Sequence, residues 1–267
     1  MQITPGWRPK ARLVYGPAMA KLTAAGIWAA AAGLSMSCGI SCSMGTDPSE
    51  LYERGVKESR AEQWEPAVSD LESFVHKACE GARADKRCRK AEVTLGNAYE
   101  HRGAPARAWV AFDAALVLPA HGEEGTAAEA RARVEQQLRD QQSGAAGRGP
   151  VMVRYRDEMT DEFTARSVLV SIDFNPVHAR NKGAAELRSD EFTQLWSGQL
   201  PAGEHVLVIE AAHSCKPGTA AHCAASQVHR SWSFSSEAHT PVGLDVRAFA
   251  ESGGDERLHP ALEMKTH

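Results

Sequence analysis

Apolar residues recur every three or four positions from Asp47 to about Asp140, and beyond Pro150 they give way to short alternating runs. The first periodicity predicts amphipathic helices, the second strands. Asp47-Pro48-Ser49-Glu50 carries helix-start chemistry. Asp47 can accept from free backbone N–H groups, Pro48 suits the first helical position, and Glu50 stands three after the cap. A last helix, about Glu123 to Gln142, is mostly Ala, Glu, Arg and Gln, with apolar contacts from Ala127, Ala130, Val134 and Leu138. Residues 143–150 read as a flexible linker rich in Gly and Ala. Strands are predicted at 151–155, 167–172, 205–209, 231–234 and 242–246, with others near 192–196 and, as an edge, 261–264. About seven short strands separated by turn signals suggest an antiparallel sandwich.

The helical part contains an internal repeat. Gly55, Ala67, Leu71, Phe74 and Val75 recur as Gly96, Ala108, Phe112, Ala115 and Leu116, all offset by 41. A self-match at fixed spacing outranks local propensity as evidence. Physically it describes a helix hairpin: a glycine permits close approach, a small alanine receives it, and a bulky residue four later fills the seam. The second copy, with Leu95-Gly96-x-x-Tyr99, Gly103, Ala108, Phe112 and Ala115, resembles the tetratricopeptide repeat, with Pro119 one short of its usual place. The first copy has Glu58 where that family has an aromatic. The 41-residue offset exceeds the family's 34 by seven, and the extra residues lie around Cys79 to Cys88. The resemblance implies antiparallel helix pairs with a concave face that holds a peptide, and a polar closing helix. On that face Asn97, Glu100 and His101 are the expected contacts, since Gly96, Tyr99, Ala108 and Phe112 belong to the seam. An ordinary helix bundle is the alternative.

Leu195 to Val208, containing Pro201-Ala202-Gly203-Glu204-His205, resembles the Pro-Gly-x-His turn and strand of PEGA-type surface modules. Pro201 sets φ, Gly203 supplies the permissive turn, and the strand after it alternates inward and outward. The expected fold is therefore α+β in two domains. A tetratricopeptide-like antiparallel helix array spans 47–142, and an antiparallel β-sandwich spans 151–267.

Upstream, Met19-Ala20-Lys21 precedes an apolar run from Leu22 to Met36, followed by Ser37-Cys38 and Ser41-Cys42. A basic head, a short apolar core and small residues at the exit make an export signal. The run is shorter than the roughly twenty residues that span a bilayer. The cysteine at its exit resembles a bacterial lipoprotein signal, although Leu34 stands one position too far back from Cys38. The resemblance implies lipidation at Cys38, or alternatively Cys42, and an envelope protein on the periplasmic side of the outer membrane. Residues 1–42 form this segment, with Met19 a possible start; a simple cleaved signal and an uncleaved anchor are the alternatives.

Residues 1–37 hold four basic and no acidic groups, which leaves 26 basic against 34 acidic in the remainder. That balance argues against nucleic acid as a partner, because phosphates reward a basic stripe.

The six cysteines form three close pairs: Cys38/Cys42, Cys79/Cys88 and Cys215/Cys223. In an exported chain the last two read as disulfides, with four free thiols as the alternative. His213, Cys215, His222 and Cys223 could instead offer two nitrogens and two sulfurs to zinc, though without the two-apart cysteine spacing of a knuckle. Asp157-Glu158 and Asp161-Glu162 read as exposed loop acids, and Asp85-Lys86-Arg87 with Arg89-Lys90 as a solvated helix start. No phosphate loop, zinc-protease helix or serine elbow stands at the required spacing. The expectation is a non-enzymatic envelope lipoprotein without cofactor or metal. It would bind another protein or peptide through its helices and the membrane through its lipid. A glycan- or wall-binding module with exposed Trp196 and Trp232 is one alternative, and a hydrolase with an unrecognised site is another.

Overall fold

The computed structural model describes residues 47–79, 85–118, 124–180, 191–219, 223–252 and 257–267. Cys38, Cys42, Pro119 and His222 lie outside these ranges. Among the described residues five helices come first: α1 (Pro48–Arg60), α2 (Trp64–Ala78), α3 (Cys88–His101), α4 (Pro105–Val117) and α5 (Glu124–Ser143). Eight strands follow: β1 (Arg148–Asp157), β2 (Phe163–Ile172), β3 (Asn175–Arg180), β4 (Thr193–Pro201), β5 (Gly203–Cys215), β6 (Ser226–Ser236), β7 (Val242–Ser252) and β8 (Leu258–Thr266). The class is mixed α+β. Residues 144–147 are what remains of the expected linker, because α5 runs through Ser143 and β1 starts at Arg148.

The helices start as their sequences dictate. Asp47 Oδ1 accepts from the Ser49 amide at 2.9 Å, and Pro48 opens α1. Each α-hairpin closes on a glycine: a Cβ on Gly55 would come within 2.7 Å of Leu71, and one on Gly96 within 2.6 Å of the Phe112 ring. Both contacts join residues sixteen apart, and the two sets are offset by 41, so the sequence repeat is a repeat of packing. Ala127, Ala130, Val134 and Leu138 form the buried stripe of α5.

The Cys79–Cys88 disulfide joins the end of α2 to the start of α3, with Cα atoms 5.5 Å apart. Beside it the predicted solvated charge run is structural in part, with Lys86 and Lys90 exposed as expected but Asp85, Arg87 and Arg89 engaged. Arg87 lies 5.3 and 5.4 Å over the Tyr52 and Phe74 rings and is held by Asp85 at 2.7 Å. Arg89 is buried and donates to the Leu118 carbonyl at 3.2 Å, a cation at the end of α4 where exposed carbonyls attract one.

The strands form two four-stranded sheets, ordered β4-β1-β7-β8 and β3-β2-β5-β6. Their inner faces share one core built on Val153, Tyr155, Val170, Leu207, Ile209, Leu244 and Val246. Two expectations change. The first sheet is not wholly antiparallel, since β1 and β7 run parallel from Val151↔Val242 to Asp157↔Ala248. β1 and β7 are far apart in sequence, so no hairpin turn dictates their direction. Among the described residues the strands number eight rather than about seven, because β3 contains Pro176, which reads as a strand breaker. Proline is tolerated there because β3 is an edge strand.

The Pro201-Ala202-Gly203 turn carries the chain from the first sheet into the second. Gly203 has φ +137°, a conformation that L side chains rarely adopt. On β5 both faces are covered. Leu207 and Ile209 point between the sheets, while Val206 and Val208 pack with the helices. Each such buried aliphatic side chain contributes about 1.5–3 kcal/mol. The helices and both sheets therefore belong to one compact unit, Gly45–His267.

Candidate functional site

Where the helices meet the second sheet, polar contacts set their spacing. The Glu204 carboxylate accepts from the Ala106 amide at 3.2 Å, capping α4, whose own cap residue Ala104 has no side-chain oxygen. Gln142 donates to the Glu204 carbonyl at 3.2 Å. Asp113 on α4 joins His229 on β6 and Arg131 on α5, at 2.7 Å each. Trp109 stacks obliquely on Phe174, with centroids 5.1 Å apart.

Beside this seam lies a cleft of about 820 Å³. Glu72, Val75 and His76 of α2, Glu92, Leu95 and Tyr99 of α3, and Arg107, Val110, Asp113 and Val117 of α4 form one wall. β6 from Ser226 to Ser231, with Glu251 of β7 and His259 of β8, forms the other. Val117 is the most exposed large apolar side chain among the described residues, at 59%.

The electrostatics of the cleft are uneven. Glu92 is 8% exposed, and burial pushes its carboxyl up to about 8, with the charge of Arg230 opposing. The Tyr99 hydroxyl donates to Glu72, and burial together with that carboxylate raises its pKa. Burial would raise Asp113 as well, but bonds from His229, Ser231 and Arg131 outweigh it and hold the carboxyl below its usual range. The same bond to Asp113 raises His229.

The residues expected to contact a peptide sit elsewhere on α3. Asn97 is exposed and outside the cleft. Glu100 is bound by Arg133 of α5 at 2.6 and 2.8 Å, and His101 stacks on Trp64 with centroids 4.1 Å apart. The cleft takes the other stripe of α3, Glu92, Leu95 and Tyr99. Its spacing of three and four was visible in the sequence, and an acid within an apolar stripe was the available signal.

The cysteines of the last loop are joined as Cys215–Cys223, Cα atoms 6.0 Å apart, which consumes the two sulfurs a metal would need. Among the described residues no group of three or more His, Cys, Asp or Glu is placed to hold a metal. Asp157 is not an exposed loop acid: it is buried, accepts from the Met159 amide at 3.1 Å and faces His213 at 3.5 Å. Trp196 and Trp232 are half-buried against the core between the sheets, so they form no exposed aromatic row.

Asp173, His205 and Ser236 have the connectivity of a hydrolytic triad, with His205 Nδ1 2.7 Å from Asp173 and Nε2 3.0 Å from Ser236. The surroundings give them another role. His205 Nε2 also faces the Pro201 carbonyl at 2.8 Å, an atom that only accepts, so this nitrogen carries a hydrogen and cannot take one from Ser236. The Ser236 hydroxyl is itself committed to the same carbonyl at 2.6 Å. Asp173 Oδ1 accepts from the Val206 amide at 3.1 Å. All three residues are buried. They latch the β2–β3 turn and β6 to the Pro201–Gly203 turn.

Compared with known protein families and with curated proteins, the chain matches none.

Proposed function

We propose that this chain is a non-enzymatic, envelope-anchored protein that holds another polypeptide. In this reading the helices are a short tetratricopeptide-like array and the two sheets a β-sandwich of the PEGA kind. The repeated Gly55–Leu71 and Gly96–Phe112 contacts support the first. The shared core of the two sheets and the buried His205 after the Gly203 turn support the second. The observation that carries the function is the cleft of about 820 Å³, in which α2, α3 and α4 face the outer edge of β6. A helical wall of mixed apolar and charged side chains beside the outer edge of a strand matches the needs of an extended polypeptide better than those of a small polar substrate.

A photo-crosslinking residue at Val117, introduced in the native envelope, should capture a polypeptide. The same residue at Met152, exposed on β1 away from the cleft, should capture none. Equal yields from the two sites, or silence from Val117, overturn the reading.

Anchoring rests on the sequence of residues 19–42. In this reading the mature protein enters the detergent phase and Cys38→Ser releases it to the aqueous phase, with Cys42→Ser as control. Retention of an unlipidated Cys38→Ser protein in the membrane identifies a different anchor.

A further inference from the structure

The cleft has the outline of a strand position left open. β6 is the outer strand of its sheet, paired with β5 along its length. Just before it Cys223 bridges Leu258 and the Ala224 amide donates to the Leu258 carbonyl at 2.9 Å, so β8 closes the edge as far as Ala224. From Ser226 to Ser231 β6 lines the cleft, about 17 Å at the rise of a strand. An edge of this kind pairs readily with an incoming extended chain. Here α2 and α4 stand over one side of that position and β8 borders the other.

Glu92 supplies a second, independent observation. It lines the cleft while being 8% exposed, and among the described residues it makes no hydrogen bond and no ion pair. Arg230 on β6 acts on it only through its charge. A carboxyl in this setting is disfavoured by desolvation unless something else brings it a partner. Its neighbours in the lining, Val75, Leu95 and Val110, suit the aliphatic stem of a long cationic side chain. Glu72 and Glu251 add negative charge to the lining, and Arg107 and Arg230 positive charge.

We propose that the cleft binds an extended polypeptide segment that adds to β6 as a fifth strand and sets a Lys or Arg side chain against Glu92. The inference rests on the polypeptide-binding reading and names the chemistry of the partner.

Calorimetry on the full chain tests it with capped peptides of alternating Thr and Val whose central residue is Lys, Glu or norleucine. A backbone N-methylated Lys peptide and free butylamine complete the set. The Lys peptide should bind, the Glu peptide should not, and norleucine should fall between them. Measured above about pH 8, where the Glu92 carboxyl is ionised and the Lys ammonium still charged, Glu92→Gln should weaken the Lys peptide by about thirtyfold, the change that follows loss of one partner of a desolvated charge pair. Met152→Ala should leave its binding unchanged. N-methylation should abolish binding, because it removes the strand hydrogen bonds. Unfolding curves of Glu92→Gln without peptide establish that the variant is folded.

Equal affinity for Lys and Glu peptides, wild-type affinity in folded Glu92→Gln, or butylamine binding as tightly as the Lys peptide each overturns the proposal. If crosslinking from Val117 succeeds while the Lys preference is absent, this inference fails and the polypeptide-binding reading stands. If Val117 captures nothing, that reading fails first.

Discussion

The Asp113 carboxylate on α4 and the His229 imidazole on β6 meet at 2.7 Å across the seam between helices and sheet. The bond raises His229, so its contribution is fully present below about pH 6.5 and is lost as pH climbs through the raised value. Asp113 is held low, so its contribution is present above about pH 4 and is lost as pH falls through the lowered value. The pair therefore stabilises most between those limits. The difference in urea midpoint between wild type and His229→Gln should be largest there and shrink as pH rises. Loss of His229 should cost about 1–2 kcal/mol, since Arg131 and Ser231 still satisfy the carboxylate. A difference independent of pH would sink this account.

Glu92 carries the opposite sign. Its carboxyl is raised by burial, so the folded protein holds a proton that the unfolded chain releases, and stability falls as pH rises from the unfolded value toward about 8. Glu92→Gln removes that dependence. Its stability relative to wild type should improve by up to about 3 kcal/mol between roughly pH 4.5 and pH 7. Chemical denaturation at several pH values checks it; parallel curves for the two proteins contradict it.

The glycine seams leave no room for growth. A methyl on Gly96 would have to displace the buried Phe112 ring, so Gly96→Ala should destabilise by about 1–3 kcal/mol. Phe112→Ala should cost about 3–5 kcal/mol through the cavity it leaves. Asn97→Ala, on the exposed side of the same helix, should stay within about 0.5 kcal/mol. Thermal or urea unfolding of the three variants gives the ranking.

Mass spectrometry of the non-reduced protein should recover Cys79 linked to Cys88 and Cys215 linked to Cys223. Replacing Cys79 and Cys88 together by serine should cost about 2–3 kcal/mol, the chain-entropy value for a loop of about ten residues. A variant as stable as the wild type would show that Arg87, stacked on Tyr52 and Phe74, holds the α2–α3 connection without the bond.

By itself the sequence determined the mixed class, the order of helices before strands, and the pairing of Cys79 with Cys88 and of Cys215 with Cys223. The periods of helix and strand differ, and the offset of 41 placed Gly55 and Gly96 in equivalent seams. These are local quantities, set by backbone geometry and near neighbours. Which face of each element meets another was decided by tertiary structure. Asn97, Glu100 and His101 share a helix with Glu92, and only the docking of α4 on β6 turns the Glu92 stripe toward the cleft. Val206-Leu207-Val208-Ile209 is an unbroken apolar run that fits a strand covered on both faces, but the run does not say what covers it. Asp113 and His229 are 116 residues apart, and nothing local relates them. The cleft is made of such long-range pairings, which is why its residues could not be grouped before the helices and sheet were seen together.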